Sequence, residues 1–243
     1  YYFETAMKQL LSWKKYLFFF PLLSLNLHAQ IEPSKDYIPA FVMGGSAALL
    51  FAFSLDESIQ DLRGPDLFSP ALDRYVQPFG TYYTLGFSVG FYGYSLIAKD
   101  QKAAQTSISL GRAVAFSLVG AYALKYTFRR NGPLSSQQEG MKWFEYDKPR
   151  GESIFFPSGH ATYITSVATV LSLSYPEEKW IPWVTYGLAG AVSFERVYNG
   201  RHHLSDVVAG IILGHFIGRL AVIPWKIDTY FIPSGAGVSI DLD

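Results

Sequence analysis

Six long apolar runs separated by polar loops limit what this chain can fold into. They are Tyr37–Leu55, Tyr75–Ala98, Ala103–Leu124, His160–Tyr175, Trp180–Phe194 and Val207–Trp225, each dense in Ala, Leu, Val, Gly and aromatic residues. These runs are long for strands and lack strict apolar–polar alternation, so all six read as helices. The fold class is therefore all-α, a single helical bundle of about six apolar helices with its functional site at one end. The first two runs carry no charged residue over lengths that approach a bilayer span, whereas the last three hold uncharged stretches of only 12 to 16 residues. Those three read either as short spans or as buried core helices, and the bundle as a whole reads as membrane-associated.

A length of 243 residues without a sharp change of composition fits one domain. Lys8, Lys14 and Lys15 precede the short apolar run Tyr16–Leu25, and a small residue, Ala29, precedes Gln30. Residues 1–29 therefore read as a signal-peptide-like leader, with extra residues before Met7, since Met7-Lys8 is the more natural start. A retained anchor is the second reading. The helical domain then spans residues 30–225, followed by a tail, 226–243, in which Val238, Ile240 and Leu242 alternate as in a short strand. The 20 basic residues balance the 20 acidic ones, so no long-range field draws nucleic acid. The absence of cysteine excludes disulfides and thiolate metal sites and is compatible with an oxidising compartment. Export predicts a bacterial cell envelope location, the inner membrane first, with the site facing the periplasm. Counting each run as a span puts the loops Lys125–Ser158 and Asn199–Asp206 on the cytosolic side. Export and six full spans are therefore not both right.

Three polar islands stand at helix ends: Lys125–Pro133, Pro157–His160 and Glu195–Asp206. If neighbouring helices run antiparallel, all three meet on one face of the bundle. Phosphoryl transfer needs cations for the non-bridging oxygens, donors aimed at developing charge, a nucleophile and an acid for the leaving oxygen. Lys125, Arg130 and Arg196 supply charge, Arg being suited to a bidentate grip on phosphate. Pro157-Ser158-Gly159 opens a helix at His160, so the amides of Ser158, Gly159 and His160 face an anion site, and Gly159 admits a close approach. His202 lies four residues before Asp206, a spacing that lets the carboxylate fix one ring nitrogen and leave the other free to attack. The pair His202-His203 does not complete a metal site, because adjacent side chains diverge and no acidic or Cys cluster joins them. His215, mid-helix among Gly, Leu and Phe, reads as a satisfied core histidine.

Over about Lys125 to Gly214 the chain resembles the type-2 phosphatidic acid phosphatase family, in the superfamily that also holds bacterial acid phosphatases and vanadium haloperoxidases. That family's signature is Lys, six residues, Arg-Pro; then Pro-Ser-Gly-His; then Ser-Arg, five residues, His, three residues, Asp. The second part, and Arg196, His202 and Asp206 of the third, stand here unchanged. The resemblance implies that His202 is the nucleophile, His160 the general acid and Asp206 the orienting carboxylate. It makes Lys125, Ser158, Gly159 and Arg196 the phosphate cradle, with no metal and no cofactor. Two positions depart from the signature. Gly132 stands where an Arg precedes Pro133, which leaves Arg130 or Arg129 as a candidate substitute. Glu195 stands where the signature has Ser, and either weakens phosphate binding or faces away.

The expected function is a metal-independent phosphatase of a phosphomonoester or pyrophosphate, its partner a phosphorylated lipid at the membrane, acting through a phosphohistidine. The alternatives are a soluble periplasmic acid phosphatase, a vanadium haloperoxidase and a non-catalytic relative.

Overall fold

The computed structural model describes residues 37–61, 69–223, 225–232 and 235–242; the leader expected over residues 1–29 lies outside them. The long helices are α1 (Tyr37–Asp61), α3 (Tyr82–Ala98), α4 (Gln101–Phe128), α7 (Gly159–Ser174), α8 (Trp180–Tyr198) and α9 (Leu204–Val222). Each matches one apolar run. Among the described residues, three short helices accompany them: α2 (Ser69–Tyr75), α5 (Pro133–Glu139) and α6 (Arg150–Ser153). The tail forms an antiparallel hairpin, β1 (Trp225–Ile232) with β2 (Gly235–Leu242), Thr229 opposite Val238. The fold is all-α apart from this hairpin.

Two boundaries differ from expectation. The run Tyr75–Ala98 is not one helix, because Pro78 cannot donate to a helical ladder. The chain instead makes a 3₁₀ turn at Gln77–Gly80 before α3 begins. α1, in turn, continues six residues past Leu55 to Asp61, so Asp56 sits on a helix rather than in the polar loop expected there.

Helix α7 is the axis of the bundle. Ten of its sixteen residues are buried, most of them small or hydroxylated, including Ala161, Thr162, Thr165, Ser166 and Thr169. Against it lies a stripe on α9, Gly210, Gly214 and Gly218. A Cβ on Gly210 would fall 2.6 Å from Ser158 O, one on Gly218 2.6 Å from Ser166 O, and one on Gly214 would collide with Thr162 O. Only glycine lets the two backbones touch along three turns. This contact sets the position of the Pro157–His160 segment, at the start of α7, relative to His202 and Asp206, at the start of α9. Leu110, Ala113, Val167, Val170, Leu171 and Ala221 close the core between α4, α7 and α9.

Among the described residues, three stretches are long and apolar enough to cross a membrane: Ile38–Gln60, a window within Gln101–Glu139, and Leu204–Val222. The first is almost unburied, with Ile38, Met43 and Leu50 at 63%, 74% and 70% exposure. So much outward apolar surface on one helix suits hydrocarbon rather than water.

Candidate active site

The three polar islands meet at one end of the bundle, where α4 and α8 end and α7 and α9 begin. Lys125, in the last turn of α4, is buried and donates to Ile154 O at 2.7 Å and Phe155 O at 3.2 Å. Arg196, in the last turn of α8, is gripped side-on by its neighbour: Nε donates to Glu195 Oε2 at 2.5 Å and Nη2 to Glu195 Oε1 at 2.6 Å. Glu195 therefore faces Arg196 rather than away from it. Burial pushes the Glu195 carboxyl up, against the pull of Arg196. The Arg196 carbonyl accepts from the amides of Arg201 at 2.9 Å and His202 at 3.0 Å, which folds His202 back over the end of α8.

His202 Nδ1 lies 3.4 Å from Asp206 Oδ2, the i,i+4 contact expected from the spacing. With its Nδ1–H on the carboxylate, the ring presents Nε2 to the pocket. Burial, countered by the Asp206 bond and reinforced by Lys125 and Arg196, lowers its pKa to about 4, so the ring is neutral near pH 7. His160, on the first turn of α7, has its pKa lowered to about 3 by burial and then by the charges of Arg196, His202 and Lys125. Its Nε2 sits 3.4 Å from both Gln77 Nε2 and Thr81 Oγ1. Gly80 lies flat against the same ring, where a Cβ would come 2.5 Å from Cδ2.

The start of α7 divides its donors. The Ser158 amide is not available to an anion, because it donates to Asp206 O at 2.8 Å and ties the two helix starts together. The Ser158 hydroxyl is buried with no partner, and no acceptor outside the helix is found for the Gly159 and His160 amides among the described residues. A Cβ on Gly159 would point at Lys125 Cε, 3.9 Å away, into the space these groups surround. One hydroxyl, two helix-terminal amides, Lys125 and the free Nη1 of Arg196 thus converge on a site shaped for an oxyanion.

The structure brings together Lys125, Ser158, Gly159, His160, Arg196, His202 and Asp206. It does not bring Arg130 with them. Arg130 is fully buried beneath the site, its Nη1 on Asp206 Oδ1 at 2.5 Å and Ser205 Oγ at 2.7 Å and its Nη2 on Asp56 Oδ2 at 2.8 Å. Arg129 is no substitute either. It closes α4 in the left-handed conformation (φ 44°) and its guanidinium donates to the carbonyls of Glu145, Tyr146 and Lys148. The place of the missing arginine is taken by Phe155: a Cβ on Gly132 would lie 2.5 Å from Phe155 Cζ, and the same ring packs edge-on to His202 with centroids 5.8 Å apart.

Sequence reasoning passed over several residues that shape this site. His203, treated only as a rejected metal ligand, caps α9, its amide donating to Asp206 Oδ2 at 3.0 Å and its Nε2 3.1 Å from Ser136 Oγ. Gln77 and Thr81 were hidden inside an apolar run, and Asp56 was assigned to a loop. The acid directly behind 19 uncharged residues was the available signal for Asp56. His215 is satisfied in the core, as its surroundings suggested, with Nδ1 3.3 Å from Thr169 Oγ1 and from Tyr186 Oη.

A family model described as the PAP2 superfamily matches residues 106–227, half of the chain. The chain belongs to the PAP2 superfamily. Within it, the chain is similar to a lipid A 1-phosphatase of Porphyromonas gingivalis, 29% identical over 188 residues that cover 76% of this chain and 38% of that protein. It is also similar to an undecaprenyl-diphosphatase of Sulfolobus acidocaldarius, 37% identical over 75 residues, 31% of this chain and 35% of that protein. The chain thus spans little more than a third of the length of these relatives. Among solved structures, Aquifex aeolicus LpxE shares the fold, with a TM-score of 0.51 at 22% identity, covering 70% of this chain and 93% of that one.

Proposed function

We propose that this PAP2 superfamily chain is a metal-independent lipid phosphatase of the bacterial envelope, its site at the outer face of the inner membrane, working through a phosphohistidine. The observation that carries the reading is His202: a neutral imidazole held at Nδ1 by a buried carboxylate, with Nε2 toward an oxyanion site made of Lys125, Arg196, the Ser158 hydroxyl and the start of α7.

The chemistry follows from these positions. Nε2 attacks phosphorus as the bond to the leaving oxygen breaks, and His160, which the negative charge of the bound phosphate favours as the imidazolium, gives that oxygen its proton and is left neutral. Water then attacks phosphorus as the P–N bond breaks. His160 takes the proton from that water, and inorganic phosphate leaves with His202 neutral again. Asp206 stabilises the imidazolium character that His202 gains on attack.

A lipid is favoured over a soluble ester by the cleft beside this site. An apolar cavity of about 910 Å³ runs along α7 between α3 and α8, lined by Phe79, Tyr83, Phe87, Ile164, Leu171 and Val184. It starts at the 3₁₀ turn that also holds His160, the leaving-group side, and its volume is at the upper end for small-ligand pockets, roughly 300–1,000 Å³. The two relatives, a lipid A 1-phosphatase and an undecaprenyl-diphosphatase, name the substrate classes to test first.

The test is phosphate release, with chelator present, from phosphatidate, phosphatidylglycerol phosphate, an isoprenyl pyrophosphate, lipid A and a soluble aryl phosphate, comparing wild type with His202→Ala. Chelator-resistant release from a lipid that vanishes in the variant, with a phosphohistidine trapped only in wild type, supports the reading. Release that survives H202A, or none on any substrate, overturns it.

A further inference from the structure

Beneath His202 lies a fully buried cluster of one cation and two carboxylates, of which the reaction as described uses only Asp206. Arg130 is shared between Asp206 and Asp56, all three shut off from solvent. Asp56 comes from α1, far away in sequence. Its Oδ1 accepts from the Ser205 amide at 2.9 Å, and its Oδ2 accepts from Ser205 Oγ at 2.5 Å and Arg130 Nη2 at 2.8 Å. The guanidinium is enclosed further by the Trp143 and Phe53 rings, 4.7 and 5.5 Å from its centre, and by Met141 Sδ at 3.0 Å. The cluster carries a net charge of −1. An isolated charge in such surroundings is strongly disfavoured, and an acid near the end of an otherwise apolar span is unexpected unless it has a task.

The division of oxygens on Asp206 shows what that task is. Oδ1 faces Arg130, while Oδ2 faces His202 Nδ1, the His203 amide and His203 Nδ1. A cation committed wholly to Asp206 would neutralise it and weaken its hold on His202. A second carboxylate on the same cation draws part of that charge away. We propose that Asp56 is a positioning residue for the nucleophile: by sharing Arg130 it leaves Asp206 anionic toward His202, and by binding the Ser205 amide it fixes the start of α9 on which Asp206 stands. The inference rests on His202 being the nucleophile, as proposed above.

The groups that face His202 from the surrounding elements are Asp206 on α9, Lys125 on α4, Arg196 on α8, His160 on α7 and the Phe155 ring. None of them changes in Asp56→Asn, and Asn keeps an oxygen for the Ser205 amide. Asp56 touches none of the phosphate-binding groups, so KM stays within about twofold. With Arg130 turned fully on Asp206, kcat falls roughly tenfold or more, as for other changes behind an orienting carboxylate. The acid limb of kcat/KM, where His202 must be deprotonated, moves to lower pH by about one unit. Substrate ionisation is common to all variants and drops out of the comparison.

The experiment is the pH profile of kcat and KM for D56N, Ser205→Ala and the double variant D56N/R130Q, with H202A as the reference for His202-dependent turnover. S205A loosens the same cluster without altering its charge, so its acid limb stays where wild type has it. The double variant removes a matched pair of charges and keeps the test open if D56N does not fold. Its limb moves above that of wild type, because Asp206 then acts on His202 with no cation behind it. Unshifted limbs in both charge variants overturn the inference, as does an equal shift in S205A. If wild-type turnover does not depend on His202, it is the functional reading that fails instead.

Discussion

Restoring an arginine at position 132 is the most informative single change, because a family signature and the local packing predict opposite results. By the signature, Gly132→Arg returns a missing phosphate-binding cation. By the structure, its Cβ meets the Phe155 ring at 2.5 Å for Cζ and 2.7 Å for both Cε atoms, closer than any tolerated contact. The backbone at Phe155 cannot easily yield, since its amide donates to Arg130 O at 3.3 Å and its carbonyl accepts from Lys125 Nζ at 3.2 Å. The ring must swing off His202. Overpacking of this kind costs about 1–3 kcal/mol. At roughly 2–4 °C per kcal/mol for a chain of this size, that lowers the melting temperature by about 2–12 °C. G132R alone is therefore expected to be less stable than wild type and no more active. Pairing it with Phe155→Ala makes room for the guanidinium. A charged hydrogen bond contributes about 1.5–3 kcal/mol, so inorganic phosphate should inhibit the double variant roughly 10- to 100-fold more tightly than it inhibits F155A alone. Thermal melting in detergent and phosphate inhibition constants give both numbers. A G132R protein that melts like wild type would refute the packing argument. Equal inhibition of the double variant and F155A would mean that position 132 does not look into the site.

Three further outcomes follow from the geometry. His160→Ala should slow phosphoenzyme formation by about 100-fold for substrates with poor leaving groups and far less for aryl phosphates, and a uniform loss in burst kinetics would remove its role as acid. His202 is neutral in the fold with a pKa of about 4 against 6.5 unfolded, so its contribution to stability is complete above pH 6.5 and lost as the pH falls toward 4. That loss is about 3 kcal/mol, so the drop in urea stability from pH 7 to pH 4 should be smaller by about that amount in His202→Gln than in wild type, His160 titrating in the same direction in both. Glu195→Gln should release Arg196 from its bidentate partner and lower the phosphate inhibition constant about tenfold, with some loss of stability; an unchanged constant would show that Nη1 alone makes the phosphate contact.

Periodicity and spacing carried most of the fold and half of the site. The apolar runs marked all six long helices, and the spacing of His202 and Asp206 marked a real contact, because both depend on local chain geometry. Pro78 was visible in the run Tyr75–Ala98, yet nothing local said that the break would carry Gln77 and Thr81 onto His160. The glycine stripe of α9 looked like ordinary apolar composition until its partner helix was known. Arg130 reads from the sequence as a candidate phosphate ligand, because a basic residue near a missing one is a reasonable substitute. Its true partners, Asp56 and Asp206, lie 74 and 76 residues away. Pairings of that kind are set by tertiary packing and leave no trace in a single sequence.

The two departures from the family signature act on the same quantity. Gly132 removes one positive charge and Glu195 adds a negative one, while Lys125 spends two donors on the carbonyls of Ile154 and Phe155. What remains for phosphate is Nη1 of Arg196, one Lys125 proton, the Ser158 hydroxyl and the amides that open α7. Such a site holds a ground-state phosphate weakly, which favours release of product and leaves less affinity for a headgroup alone. In the proposed lipid phosphatase, substrate binding then falls to the apolar cleft beside His160, where burial contributes about 25 cal/mol per Å² of hydrocarbon. Shortening the chain of a lipid monophosphate should accordingly lower kcat/KM steeply. Restoring the cation at position 132 in the F155A background should flatten that dependence, because the headgroup would again bind by charge.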